Sequence, residues 1–180
     1  MPPPAGEEPS VKLVDFLKKL PEPFAVEILE ALPAPDRREL LRSHGAKVAI
    51  SAGSLKREVR ILKEARLLLA ALQRTTDIDD QRTFLQGWLA RRAEMIVGFL
   101  DAWKIEHQGG IVEDFGWVEK LEAAKVKESL AKATERVEPV AALVYFAYLE
   151  LPCTAEVLDI DALMKSVEHG TAEAKKAPAG

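Results

Sequence analysis

Four prolines set in two pairs, Pro21 with Pro23 and Pro33 with Pro35, confine the first part of this chain to helices of about ten residues. A proline inside a helix removes one backbone hydrogen bond and clashes one turn back, whereas in the first turn its missing N–H costs nothing. The stretches "LPEPFAVEIL" (20–29) and "LPAPDRRELL" (32–41) both fit L-P-x-P-x-x-x-E-(I/L)-L, twelve residues apart. Each unit stops one helix and starts the next. The spacing predicts a helix over "VKLVDFLKKL", capped by Ser10 and stopped by Pro21, then helices over 23–32 and 35–43, the last ended by His44-Gly45. Helices this short are marginal alone and must bury their faces by stacking.

The remainder is written in the same alphabet of strong helix formers, and no six-residue stretch alternates apolar with polar residues. The fold class expected is all-α: an antiparallel bundle of long helices with a cluster of short proline-punctuated helices at the N-terminus. Residues 1–9 and 170–180 read as disordered tails, 10–45 as the short-helix cluster, and 54–169 as a bundle packed with it in one domain. Within the bundle the first predicted helix runs 54–75, capped by Ser54, with a seam of Leu55, Val59, Leu62, Leu69 and Leu72 flanked by Ile61 and Leu68. A second is predicted over 79–107, roughly 40 Å long, carrying Trp88, Phe99 and Trp103 on its apolar face and ended by Gly109-Gly110. A third starts near 115–117, with Ala123, Val126, Leu130, Ala133 and Val137 on one side, and is kinked or broken by Pro139. "VAALVYFAYLEL" is apolar on nearly every face and should be the most buried helix; a last one spans 159–169.

The stretch 25–42, "AVEILEALPAPDRRELLR", resembles the short-helix repeats in the cytosolic domain of magnesium transporters of the MgtE type and in flagellar rotor proteins. The resemblance implies a superhelical surface used for regulation and protein contacts.

Charge is spread unevenly. Residues 37–66 hold nine basic and three acidic side chains, so against a whole-chain charge of −4 the other residues carry −10. Lys56, Arg60 and Lys63 recur at i, i+4 and i+7 with Arg57 beside them, and Arg37, Arg38 and Arg42 lie on the second proline unit. This is the candidate partner-binding surface. Three readings stand: internal pairing with the acids of 101–161, an acidic protein partner, or phosphates of a nucleic acid. Nucleic acid is the less favoured partner, because no aromatic or amide residue is interleaved for base contacts. Trp88 and Trp103 are expected as core anchors; if their face is half covered, it becomes an oligomer interface.

Each constellation that suggests chemistry has a structural explanation beside it. "DIDD" at 77–80 lacks the glycine and the final glutamate of a Ca²⁺ loop; Asp77 and Asp79 either hold a weak Mg²⁺ or cap the next helix, and capping is favoured. His44, His107 and His169 fall near helix ends without metal-ligand spacing. Ser129 and Lys132 match S-x-x-K in mid-helix without its partner motifs. Cys153 is the only cysteine, so no internal disulfide forms. The start lacks the basic and apolar regions of a secretory signal, and the longest uncharged apolar run, 140–149, is half a membrane span. The expectation is a cytoplasmic, non-catalytic interaction module with no cofactor and no catalytic or metal residues: an adaptor, regulatory subunit or assembly component. The alternatives are an immunity- or antitoxin-type sequestering protein, and a helical nucleic-acid binder using the basic stripe.

Overall fold

The computed structural model describes residues 12–44, 56–133 and 139–151, together with Asp161, Met164 and Lys165. These residues form eight α-helices and no strand: α1 (Leu13–Lys19), α2 (Glu22–Ala31), α3 (Ala34–Ser43), α4 (Arg57–Leu72), α5 (Ile78–Ala90), α6 (Ala93–Trp103), α7 (Ala123–Ala133) and α8 (Pro139–Leu149). A single 3₁₀ turn, Val118–Lys120, precedes α7. The expected caps Ser10 and Ser54, Gly45, Cys153, His169 and most of the helix predicted over 159–169 lie outside the described residues.

The three N-terminal helices are short, and a proline stands in the first turn of both α2 and α3. They contribute to the same apolar core as the longer helices: Leu13, Phe16 and Leu17 from α1, Phe24, Ala25, Ile28 and Leu29 from α2. α2 is the hub. It packs on α4 and α5, while α1 touches α4, α5 and α8. Arg57 lies 3.7 Å from Glu30 and Arg66 lies 2.6 Å from Glu22, which sets α2 and α4 antiparallel. α8 is buried from Ala141 to Ala147 without interruption, as its apolar run requires.

Three expectations about the helices are corrected. The helix predicted over 79–107 is two, because the chain turns at Arg91-Arg92 with no proline or glycine to force it. Arg92 braces the turn: its guanidinium lies 3.3 Å from the centre of the Trp88 ring, donates to the Trp88 carbonyl one turn back, and stands 3.8 Å from Glu27 of α2. Next, α6 ends at Trp103 rather than at Gly109-Gly110. Lys104 is left-handed (φ 60°, ψ 40°), and the Ile105 N–H reaches back to the Leu100 carbonyl at 2.9 Å. Finally, no helix begins at 115–117; the segment 105–122 is irregular except for its 3₁₀ turn. Pro139 is the first residue of α8, where its missing N–H costs nothing.

The core row of α4 also differs from the expected seam. Ile61, Ala65, Leu68, Leu69 and Leu72 face inward, whereas Val59 is 48% exposed and Leu67 43%. The row 61, 65, 68, 72 passes through an alanine, and a seam drawn only through large side chains misses it.

α8 ends as α6 does. Glu150 is left-handed (φ 51°), and the Leu151 N–H donates to the Phe146 carbonyl. Glycine is the usual residue there. Glutamate occupies the position because its Oε1 accepts the Leu13 N–H at 2.9 Å, capping α1 from the far end of the chain. Glu150→Ala should therefore cost about 1–2 kcal/mol, through loss of a cap at a residue that keeps its left-handed strain. Glu150→Gly relieves that strain and should cost less, a difference readable in urea midpoints.

Candidate interaction surface

The basic residues of α3 and α4 divide into paired and unpaired sets. Arg57 and Arg60 sit beside Glu30 and Glu64 at 3.7 and 3.9 Å, and Arg42 bonds Glu39 three residues back. Such exposed pairs are screened by water and salt, and they partly cancel the local positive field. The compensating acids are thus near neighbours on α2, α3 and α4. The sole described ion pair that joins the N-terminal helices to the acidic stretch 101–161 is Lys19 to Asp161, at 3.0 Å. Lys56, Lys63 and Arg38 are exposed, Arg37 is half-buried, and none of the four makes an ion pair among the described residues.

The unpaired lysines are interleaved with apolar side chains. Val59, Lys63 and Leu67 recur at i, i+4 and i+8, one row along the solvent side of α4, with Lys56 a turn before them. α4 turns its other side to α1, α2 and α3. A helix with a filled core face and a second row in which exposed apolar groups alternate with lysines offers both area to desolvate and charge to select a partner.

The candidate oligomer residues are placed elsewhere. Trp88 is 2% exposed, stacked edge-to-face on Phe24 at 5.2 Å, and its indole N–H donates to Glu27 at 2.7 Å. Trp103 is 6% exposed, within an aromatic cluster of Phe99, Trp117, Tyr145 and Phe146. Its indole N–H donates to the Ser129 hydroxyl at 2.7 Å, which gives that buried serine a structural partner.

The acidic cluster caps. Asp77 Oδ1 accepts the N–H groups of Asp79 and Asp80 at the start of α5, as a side chain at a helix N-terminus should. No group of three or more His, Cys, Asp or Glu among the described residues is arranged to hold a metal ion. His44 Nε2 lies 2.8 Å from Asp80 Oδ2 but outside hydrogen-bond geometry. His107 lines an open polar concavity of about 990 Å³ with Asp101, Glu106 and Asp114. Both its ring nitrogens are engaged: Nδ1 accepts the Gly110 N–H, which assigns the proton to Nε2, 3.2 Å from Asp101. A histidine held at both nitrogens is a strut for the 105–111 turn and not a free base.

Sequence reasoning missed two polar residues that organise the joints. Gln81 is 4% exposed, and its amide donates to the Leu72 and Thr75 carbonyls, closing the C-terminal end of α4. Gln73 does the same for Leu17 of α1. A lone glutamine carries no signal of such a role; only its inward placement on the α5 face hints at it.

No protein-family model matches the chain, and no curated protein or solved structure matches it either. Among the described residues no helix is long and apolar enough to cross a membrane.

Proposed function

We propose that this protein is a non-catalytic, cytoplasmic interaction module, an adaptor, regulatory subunit or assembly component. It binds an acidic, amphipathic segment of another protein along the outward side of α4. An antiparallel helical bundle with the short proline-punctuated helices on it serves as the rigid frame. The observation that carries the reading is the row of Val59, Lys63 and Leu67 with Lys56, exposed apolar groups flanked by unpaired lysines. The apolar pair supplies area to desolvate, and the lysines select negative charge and speed encounter.

The same row argues against a nucleic-acid ligand. Phosphate binding needs cations and has no use for valine and leucine exposed among them. The two readings give opposite results for one variant. Val59→Lys/Leu67→Lys adds two positive charges, so it should strengthen any binding to DNA or RNA at low salt. For a protein partner it removes both apolar contacts, and binding should fall by at least 30-fold, the equivalent of losing about 2 kcal/mol at a hot spot. Isothermal titration with a partner recovered on the wild-type protein reads the difference. Unchanged affinity would sink the α4 assignment.

A further inference from the structure

A second feature, sharing no residue with α4, is a half-enclosed cavity of about 450 Å³ where the irregular segment folds back over α5, α6 and α8. The segment turns sharply at Gly109 (φ 60°) and Gly110 (φ 93°), closing an isolated antiparallel bridge between Gln108 and Ile111. Both glycines hold backbone angles that other residues rarely adopt. At Gly110 an added Cβ would come 3.4 Å from the Ile96 side chain, so the turn lies close on α6. The walls are Leu89, Ile96, Val112, Phe115, Tyr145 and Tyr148, with Ala90 and Ala93 leaving the mouth open. The volume falls within the range of small-molecule sites, about 300–1,000 Å³, and the apolar lining with few polar groups is their usual composition.

The polar groups narrow the ligand. No lining residue carries a charged side chain; Gln86 and the two tyrosines supply the hydrogen-bonding groups. Tyr145 is 4% exposed, its ring stacked on Phe99 and Trp103, and its hydroxyl makes no hydrogen bond to any described residue. The hydroxyl itself still reaches water, and a ligand acceptor at the cavity can take the place of that water. Burial pushes the Tyr145 phenol well above its ordinary value, so it remains a neutral donor throughout the physiological range. Burial raises Tyr148 as well, against the opposing pull of Arg82. The Arg82 guanidinium stands 5.7 Å from the ring centres of both Phe115 and Tyr148 and donates to the Tyr148 carbonyl, bracing this aromatic wall.

We propose that this cavity binds a neutral, flat, apolar small molecule bearing one hydrogen-bond acceptor, a carbonyl or ether oxygen, that takes the Tyr145 hydroxyl. The conjugated ring system lies against Tyr148 and Phe115, and anionic or cationic ligands are refused because no counter-charge lines the walls.

The probe is 6-propionyl-2-(dimethylamino)naphthalene, a neutral dye with a single ketone. Titrated into the full-length protein, it should bind saturably at one site, with blue-shifted emission. Tyr145→Phe should weaken it about 3- to 10-fold, the worth of one neutral hydrogen bond. The analogue 2-(dimethylamino)naphthalene, which lacks the ketone, should bind both proteins equally. Ala90→Trp and Ala93→Trp, each at an exposed helix position that tolerates substitution, should obstruct the mouth and abolish binding without moving the urea midpoint. Absence of saturable binding to the wild type below about 100 µM overturns the proposal. So does equal ketone-dye affinity in Tyr145→Phe, or undiminished binding in both tryptophan variants.

Discussion

Replacing Trp88 with alanine is expected to cost the fold about 3–5 kcal/mol, a third or more of the stability of an ordinary domain. The reason is position. The indole fills the joint between α2 and α5, edge-on to Phe24, with the Arg92 guanidinium over its face and Glu27 accepting its N–H. Truncation removes the transfer energy of the ring and leaves a void in a place where three helical segments meet. The polar losses are smaller, because Glu27 and Arg92 are 52% and 24% exposed at the side chain and water replaces the indole. At a urea dependence of about 2 kcal/mol per molar, the midpoint should fall by about 2 M. Trp88→Phe keeps most of the volume and should lose only about 1–2 kcal/mol. A fall below about 0.5 M for the alanine variant would mean that the α2–α5 joint is not where stability resides.

The second large effect comes from a residue with no side chain. A Cβ at Gly87 would lie 2.8 Å from the Leu32 Cα and 2.9 Å from the Ala31 carbonyl oxygen. Both are backbone atoms, so no rotamer change makes room, and α5 must move off the end of α2. Helix propensity favours alanine over glycine by about 1 kcal/mol, while overpacking costs about 1–3 kcal/mol and sometimes more. The clash wins, and Gly87→Ala should destabilise by about 2 kcal/mol. Gly98, in α6, provides the opposite case: nothing lies within 4 Å of its added Cβ. Gly98→Ala should stabilise by up to about 1 kcal/mol. Two identical substitutions in neighbouring helices with opposite signs, read by the same denaturation curve, isolate the close approach as the cause.

The short helices and the buried run of α8 were legible in the sequence because their signals are local: Pro23 and Pro35 in first turns, and an unbroken apolar stretch after Pro139. The Asp77 cap was legible for the same reason. What was not legible depends on contacts between distant residues. The α5–α6 turn at Arg91-Arg92 has no breaker residue, and Arg92 there reaches across to Glu27 of α2, far back in the chain. Lys104 and Glu150 adopt left-handed angles where a reader expects glycine; for Glu150 the cause is the Leu13 N–H, 137 residues away. The cavity beside Tyr145 depends on how segment 105–122 folds back, and a stretch rich in Ile, Val, Phe and Trp does not announce that it will stay irregular. On the outward side of α4 the basic stripe is visible in the sequence, but the exposure of Val59 and Leu67 is not, since Val59 falls on the expected core seam.

Site-specific photocrosslinking tests the central claim most directly. A benzophenone amino acid placed at Val59 or at Leu67 in the full-length protein, in cells of its natural source, should capture one protein through an acidic, amphipathic segment identified by mass spectrometry. The adduct should be lost with Lys56→Glu/Lys63→Glu and should not form from Lys125, an exposed position on α7. Absence of adducts at both α4 positions, equal adducts from Lys125, or crosslinks to nucleic acid alone would contradict an acidic protein partner on α4.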